Sequence, residues 1–503
     1  MTTKCRLATI LLMVSACALS GFGASDCESL SNLKLPDTQV TSAVSVPAGG
    51  PVSIRAANGN SQQISDLPAF CRVAVTLAPT SDSDIKVEVW LPATTWNGKF
   101  QAVGNGGWAG SIVYTALSDA LRQGYAAAST DTGHSGAGGS FALGHREKLI
   151  DFGYRAVHEM TVKAKSIIAA YYGQNAKFSY WNGCSTGGRQ ALMEAQRYPS
   201  DFDGIIAGAP ANDRTHLTVS GVWVAQAVRA TESSFIPPAK FPLIHEAALN
   251  ACDARDGVKD GVIENPASCK FDPKVLECKA GDAATCLTPP QVEAARKIYG
   301  GPVNPRTKQQ IFPGLMPGSE LGWNTLAGPQ PIALHVDAFK YVVFEDPNWD
   351  FMKLNFDSDV TRADKTDNGI VNSTDPNLKP FFERGGKLLQ YHGWNDPLIA
   401  PLSSVNYYNR VVDTVGTAKA DASYRLFMVP AMNHCSGGDG TDTWDKVRVL
   451  DQWVETGKAP DQITASHLTK GTVDRTRPLC AFPKVATYKG SGSINDAGNF
   501  VCR

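Results

Sequence analysis

The chain has 503 residues, 43% of them hydrophobic, and a formal net charge of -1. That length supports a large core and two structural units. The balanced charge excludes the basic excess on which nucleic-acid binding and attraction to anionic membranes rest.

Residues 1–25 read as an export signal. Lys4 and Arg6 form a basic start, Leu7 to Val14 is an apolar run too short to span a bilayer, and small residues follow to Ser25. Cleavage near 23 to 25 gives a secreted or periplasmic protein. Val14-Ser15-Ala16-Cys17 also fits a lipoprotein box, with Cys17 lipidated at the outer membrane; soluble export is the favoured reading of the two. No later segment has the length and apolarity of a transmembrane helix.

Of the 12 cysteines, Cys5 and Cys17 leave with the signal. The ten that remain suit an oxidising compartment. Connectivity stays open, but local spacing favours Cys252 with Cys269, Cys278 with Cys286 and Cys480 with Cys502. Cys27, Cys71, Cys184 and Cys435 are left, as Cys27 with Cys71 and Cys184 with Cys435. The absence of a C-x-x-C pair weighs against zinc or redox roles.

After β-branched alternation from 26 to about 95, Val87 to Leu91 reads as a strand ending at Pro92. Phe100 to Val103 and Tyr125 to Ser129 follow as strands, the first running into Gly104-Asn105-Gly106-Gly107. Helical periodicity covers Asp151 to Tyr172, with Tyr154, Val157, Met160, Ala164, Ile167 and Ile168 on one face. Phe178 to Trp181 is a strand, Arg189 to Arg197 a helix, and Ile205 to Ala207 a strand. This alternation predicts an α/β fold, a mostly parallel sheet with helices on both faces. From 212 to 383 strand signals fade and Pro, Gly, Asp and Asn dominate. That stretch reads as an inserted lid domain between core segments 26–211 and 384–503, with one helix from Pro289 to Tyr299 capped by Thr288. Alternation resumes with strands at Lys387 to His392 and Arg425 to Val429, and helices at Ser403 to Thr414 and Val447 to Val454. The stretch 475–503 reads as loop.

Gly183-Cys184-Ser185-Thr186-Gly187 matches G-x-S-x-G between a strand and a helix, the setting of a nucleophilic serine in an α/β-hydrolase. Such a serine needs a base, an acid that orients the base, and donors for the oxyanion. Asp396 and His434 follow in the order Ser, acid, His, each just after a strand. The 38 residues between them (434 minus 396) leave room for one helix and one strand. Read blandly, Asp396 is a turn residue before proline and His434 a loop histidine. His134 is the best-placed decoy, and His392 lies inside a strand. The oxyanion donors expected are the backbone N–H of Thr186 and one from Gly107, with Gly106 second. Asp253, Asp256 and Asp260 form a second cluster, with Gly257 and Gly261 allowing sharp turns. It reads as a calcium loop or as a solvated acidic loop.

At these residues the chain resembles the tannase and feruloyl esterase family over essentially its whole mature length. The resemblance rests on Cys184-Ser185, Asp396 and His434-Cys435. Further matches are Gly208-Ala209-Pro210, Tyr391-His392-Gly393, Asn433-His434-Cys435-Ser436-Gly437-Gly438 and Tyr488-Lys489-Gly490-Ser491-Gly492. It implies a secreted carboxylic ester hydrolase with a Ser185–His434–Asp396 triad, an α/β-hydrolase core and a lid. It also implies a structural Ca2+ held by Asp253, Asp256 and Asp260 and the carbonyls of Val258 and Val262. The family's disulfide pairing agrees with the five pairs above. The implied substrate is a small aromatic ester, attached in nature to plant polysaccharide or polyphenol. Hydroxycinnamate esters come first, galloyl esters second and terephthalate monoesters third. The terephthalate monoesterase holds its free carboxylate with a lid arginine. The corresponding Val336 to Tyr341 has none, and Lys340 lacks the bidentate fork. Phe339, Tyr341, Phe344 and Trp349 are candidates for an apolar acyl slot, and core packing explains them equally well. A non-catalytic binding protein on a hydrolase scaffold is the reading from another class.

Overall fold

The computed structural model describes residues 25–55, 61–108 and 110–503. The basic and apolar parts of the expected export signal, and Cys17, lie outside the described residues. Among the described residues no helix is long and apolar enough to cross a membrane.

Nine strands form the central sheet: β1 (Thr38–Val46), β2 (Phe70–Leu77), β3 (Ile85–Pro92), β4 (Lys99–Val103), β5 (Ala126–Thr130), β6 (Phe178–Cys184), β7 (Gly204–Gly208), β8 (Lys387–Gly393) and β9 (Tyr424–Val429). Their spatial order is β1-β2-β3-β5-β4-β6-β7-β8-β9. β1 to β3 and the β3–β5 pairing are antiparallel. Every pairing from β5 through β4 to β9 is parallel. The sheet is thus the mostly parallel one expected, with an antiparallel edge, and the fold is of the α/β-hydrolase type.

The parallel strands are apolar on both faces because both faces are covered. Trp181, Ile205 and Leu388 point into a layer with the Ala156–Tyr172 and Leu402–Val415 helices. Their neighbours Tyr180, Ile206 and Leu389 point the other way, toward the Tyr114–Arg122 and Lys446–Thr456 helices. A period of two therefore sorts one continuous apolar run onto two cores.

Between β7 and β8 the main sheet receives no strand. This stretch builds apolar clusters of its own, one of which takes in Ile399 and Ala400 from the loop after β8. Its Pro289–Gly300 helix has the expected cap: the Thr288 hydroxyl accepts from Gln291 N–H, and the Gln291 side chain accepts from Thr288 N–H.

Three local expectations change. The helix after Ser185 begins at Thr186. The Asp151–Arg155 turn is a π-helix leading into the long helix, because Gly153 packs against the Ile370 backbone. The stretch 475–503, expected as loop, holds most of the strand Thr472–Cys480, which pairs antiparallel with Gln462–Thr469 just before it, and the antiparallel pair Ala486–Tyr488 with Phe500–Cys502. Polar pairs hold the first hairpin, for example His467 on Asp474 at 2.7 Å, so the apolar alternation that marks a strand is missing.

Candidate active site

Ser185 stands between β6 and the Thr186–Arg197 helix with φ 63° and ψ -119°. A non-glycine residue reaches that region only when its surroundings hold it. Here the Ser185 N–H donates to Gly208 O at 2.9 Å, and its carbonyl accepts from Arg189 and Ala211 N–H at 3.0 and 3.1 Å. Glycine is required on both sides. A Cβ on Gly183 would lie 2.6 Å from Gly187 O, and one on Gly188 would lie 2.2 Å from Gly208 O.

The loop after β9 brings His434 to this turn through the Cys184–Cys435 disulfide, whose Cα atoms are 6.0 Å apart. His434 Nδ1 lies 2.6 Å from Asp396 Oδ2. The carboxylate can only accept, so Nδ1 carries the proton and Nε2 is left free to take one. Asp396 is fully buried in the loop after β8. Its Oδ1 accepts from Leu398 and Ile399 N–H at 2.8 and 2.9 Å. Burial alone would raise the Asp396 pKa. The His434 charge and hydrogen bonds from His392 and His434 outweigh it and hold the carboxyl well below the usual range. Burial likewise opposes the His434 imidazolium, yet Asp396 raises its pKa above the ordinary histidine value.

Sequence reasoning placed His392 inside a strand and missed its part here. Its Nε2 faces both Asp396 Oδ2 and Ile399 O at 3.1 Å, so it carries a proton, and its Nδ1 accepts from Ser404 Oγ at 2.7 Å. The signal available was its spacing of four residues from Asp396.

The glycine loop after β4 lies against the serine turn. The Thr186 hydroxyl donates to Gly107 O at 2.8 Å, and Gly187 N–H donates to Asn105 O at 2.8 Å. Asn105 in turn is fixed by Gln190, Thr130 and Ser111. Gly107 has φ 59°, and the open side of its Cα faces Leu334 of the lid. The Thr186 amide stands in the first turn of its helix, where N–H groups lack intrahelical acceptors. Thr186 and Gly107 are thus in contact beside the serine turn, with Gly106 next to Gly107 in the same loop.

Other expected residues separate from this site. His134 donates to Trp108 O at 2.7 Å and stacks on Phe141, and burial lowers its pKa. Phe339, Phe344 and Trp349 stack on one another, with Phe339 fully buried, so they build the lid's own core. Tyr341 is part of the same helical turn and is half-buried.

The ten mature cysteines form the five expected pairs: Cys27–Cys71, Cys184–Cys435, Cys252–Cys269, Cys278–Cys286 and Cys480–Cys502.

The acidic loop folds around its own backbone. Asp253 accepts from Asp260 and Gly261 N–H, Asp256 from Val258 N–H, and Asp260 from Val262 N–H. Arg477 reaches Asp260 at 2.7 Å and Arg475 stands 3.6 Å from it. Buried Glu264 adds a fourth carboxylate, with Oε2 unpartnered. Burial pushes the Glu264 carboxyl up to about 8, so the three aspartates against two guanidiniums leave an excess of one negative charge, and every donor is oxygen. That fits a hard dication in charge and in ligand type. The three aspartates are not drawn within 4.8 Å of one another. Among the described residues the one triple that is, His158, Glu194 and Asp201, is a core group in which His158 bonds Asp201 at 2.7 Å.

The fold and site define an esterase of the α/β-hydrolase type. Residues 71–503 match the family model for tannase and feruloyl esterase, and the chain belongs to that family. It is 38% identical to an esterase of Xanthomonas campestris pv. campestris described as uncharacterized, over 98% of this chain and 93% of that one. Feruloyl esterase B from Aspergillus oryzae superposes with a TM-score of 0.89 at 34% identity, covering 95% of this chain and 99% of that one. Tannin acyl hydrolase from Aspergillus niger shares the fold, with a TM-score of 0.75 at 23% identity over 93% and 92% of the two chains. The chain is a carboxylic ester hydrolase, with a small ester as its substrate.

Proposed function

We propose that this is an exported serine esterase that cleaves aromatic-acid esters, hydroxycinnamate (feruloyl) esters first among them. The observation that carries the reading is the Cys184–Cys435 bridge, which ties the residue before Ser185 to the residue after His434, a histidine already hydrogen-bonded to a buried carboxylate. Ser185 Oγ attacks the ester carbonyl while His434 Nε2 takes its proton. Asp396 holds the imidazole and stabilises the imidazolium that forms. The Thr186 amide and the Gly106-Gly107 loop stabilise the oxyanion. His434 then protonates the leaving alcohol, and water cleaves the acyl-enzyme by the same route. The greater identity to feruloyl esterase B than to tannin acyl hydrolase supports hydroxycinnamate over galloyl esters. Five disulfides are typical of an exported protein and support the secretion reading.

The same reading includes a structural Ca2+ held by Asp253, Asp256, Asp260 and the carbonyls of Val258 and Val262. When bound it supplies a cross-link within the loop and no chemistry at Ser185.

Ser185→Ala should lose at least ~10^3-fold in p-nitrophenyl ester hydrolysis. Equal rates for the two proteins would remove Ser185 from the nucleophile role and overturn the serine mechanism. Parallel kcat/KM values on methyl ferulate, methyl gallate and a terephthalate monoester test the substrate. Dominant activity on either of the last two would replace the hydroxycinnamate assignment.

A further inference from the structure

Asn395, the residue before the buried acid, is tied to two other parts of the molecule at once. It is itself buried in the loop after β8. Its N–H donates at 3.0 Å to the carbonyl of Met432, two residues before His434. Its Nδ2 donates to Gly318 O of the lid at 2.7 Å. The lid segment meets the residues on either side of Asp396. A Cβ on Gly318 would lie 2.8 Å from Asn395 Oδ1, and one on Gly322 would lie 2.6 Å from Pro397. Gly318 also has φ 103°, so glycine is what lets the two segments approach this closely.

Gly318 is in turn held by Glu320, whose side chain is fully buried. The Gly318 N–H donates to both Glu320 oxygens, at 2.9 and 3.0 Å, and the Tyr299 hydroxyl donates to Oε1 at 2.6 Å. His245 Nδ1 lies 3.0 Å from Oε2, and because a carboxylate only accepts, Nδ1 carries a proton. Burial opposes the His245 imidazolium, yet the hydrogen bond and charge of Glu320, then the charge of Asp439, outweigh it and raise its pKa. Asp439 lies in the loop that carries His434. A carboxylate is buried at little cost only when it is paired and hydrogen-bonded. Here its partners immobilise the glycine whose carbonyl receives Asn395.

We propose that Asn395 is a positioning residue for Asp396, anchored by the Glu320–His245 pair of the lid, and that together they hold the acid in line with His434. The inference rests on the serine mechanism above. A catalytic group displaced by about 1 Å costs on the order of 100-fold in rate. Loss of the Nδ2 contact leaves the bond to Met432 O in place, so Asp396 is loosened and not removed.

The test is kinetic, on a p-nitrophenyl ester. Asn395→Ala should lower kcat by about ten- to a hundredfold with KM within about twofold. The midpoint of its pH–rate profile should fall toward about 6.5, because a loosened Asp396 supports the His434 imidazolium less well. Asn395→Asp, which keeps the volume and loses the donor, serves if the alanine variant does not fold. Glu320→Gln should act in the same direction and more weakly, with Tyr299→Phe in its place if it does not fold. The double variant should lose less than the product of the two single effects, since both act through Gly318. A folded Asn395 variant with lower Tm but wild-type kcat and midpoint would make the contact purely structural and overturn the inference, as would a change confined to KM. Independent effects of the two substitutions would overturn the anchor. Wild-type rates in Ser185→Ala would instead bring down the serine mechanism, and this inference with it.

Discussion

At Asp396 four hydrogen bonds converge on one buried carboxylate, and two of them come from histidines. The consequence is a pH dependence with a definite sign. His434 acts as a base only when neutral, and Asp396 raises its pKa, so activity should rise with pH through a midpoint above the ordinary histidine value of about 6.5. Asp396→Asn should shift that midpoint down and lower kcat on the order of 10^4-fold, since the amide no longer enforces the tautomer. A pH–rate profile on a p-nitrophenyl ester checks both, and a wild-type midpoint below 6.5 would contradict the geometry. Stability runs in two windows. The depressed Asp396 contributes above its unfolded value of about 3.9, and this is lost as pH falls through the folded value. The raised His434 contributes fully below about 6.5, and this is lost as pH climbs through its folded value. His392 is a positioning residue within the same network. His392→Phe should reduce kcat about tenfold with KM little changed, because Asp396 loses a donor while the pocket is untouched. A change confined to KM would assign His392 to substrate binding. Ser185, Asp396 and His434 were legible because loop ends after strands are where such groups sit. His392 was not, because a histidine inside a buried strand reads as core until its partners Ser404 and Asp396 are seen beside it.

The strand–turn–helix element around Ser185 was legible for a related reason. Two-sided burial makes β6, β7, β8 and β9 mostly apolar, and glycines mark the positions where the backbone must approach. The C-terminal hairpin was illegible because contacts distant in sequence hold it: Arg477 on Asp260 of the lid, and Glu264 Oε1 accepting from Ala486 N–H. Between slot and core the aromatics Phe339, Phe344 and Trp349 were undecided for a similar reason, since a cluster that forms a core has the same composition as one that lines a slot. Between these elements the Cys184–Cys435 bridge closes a loop of 251 residues. In the chain-entropy model a closure of that length stabilises by about 5 kcal/mol. The nested Cys252–Cys269 and Cys278–Cys286 bridges shorten the loop only slightly. Replacing both Cys184 and Cys435 by serine should therefore lower the urea midpoint clearly. It should also reduce kcat, since the His434 loop loses its tie to the serine turn. A destabilised variant with wild-type kcat would confine the bridge to stability and remove its part in seating the histidine.

Across the whole molecule, the lid and the C-terminal segment meet at the acidic loop. Val258 packs with Cys480, Ala486 and Phe500, while Arg475 and Arg477 lean on Asp260 from the last hairpin. The two arginines leave part of the charge of Asp253, Asp256 and Asp260 uncompensated. A bound dication would complete the neutralisation and stabilise the folded state by its binding free energy, about 2.7 kcal/mol when present at a hundredfold over Kd. Removing calcium should thus lower Tm by a few degrees, and adding it back should restore the value. Asp260→Asn should blunt the response, because it removes one ligand charge and weakens the Arg477 contact together. Activity at 25 °C should change much less than Tm, since among the described residues the loop makes no direct hydrogen bond to Ser185, Asp396 or His434 and meets the His434 loop only through Arg475 on Asp439 O. Magnesium gives the control, because its tighter octahedral shell suits this irregular oxygen set poorly. A Tm that is the same in chelator and in millimolar calcium would leave the arginines as the only counter-charges and make the loop a solvated acidic turn.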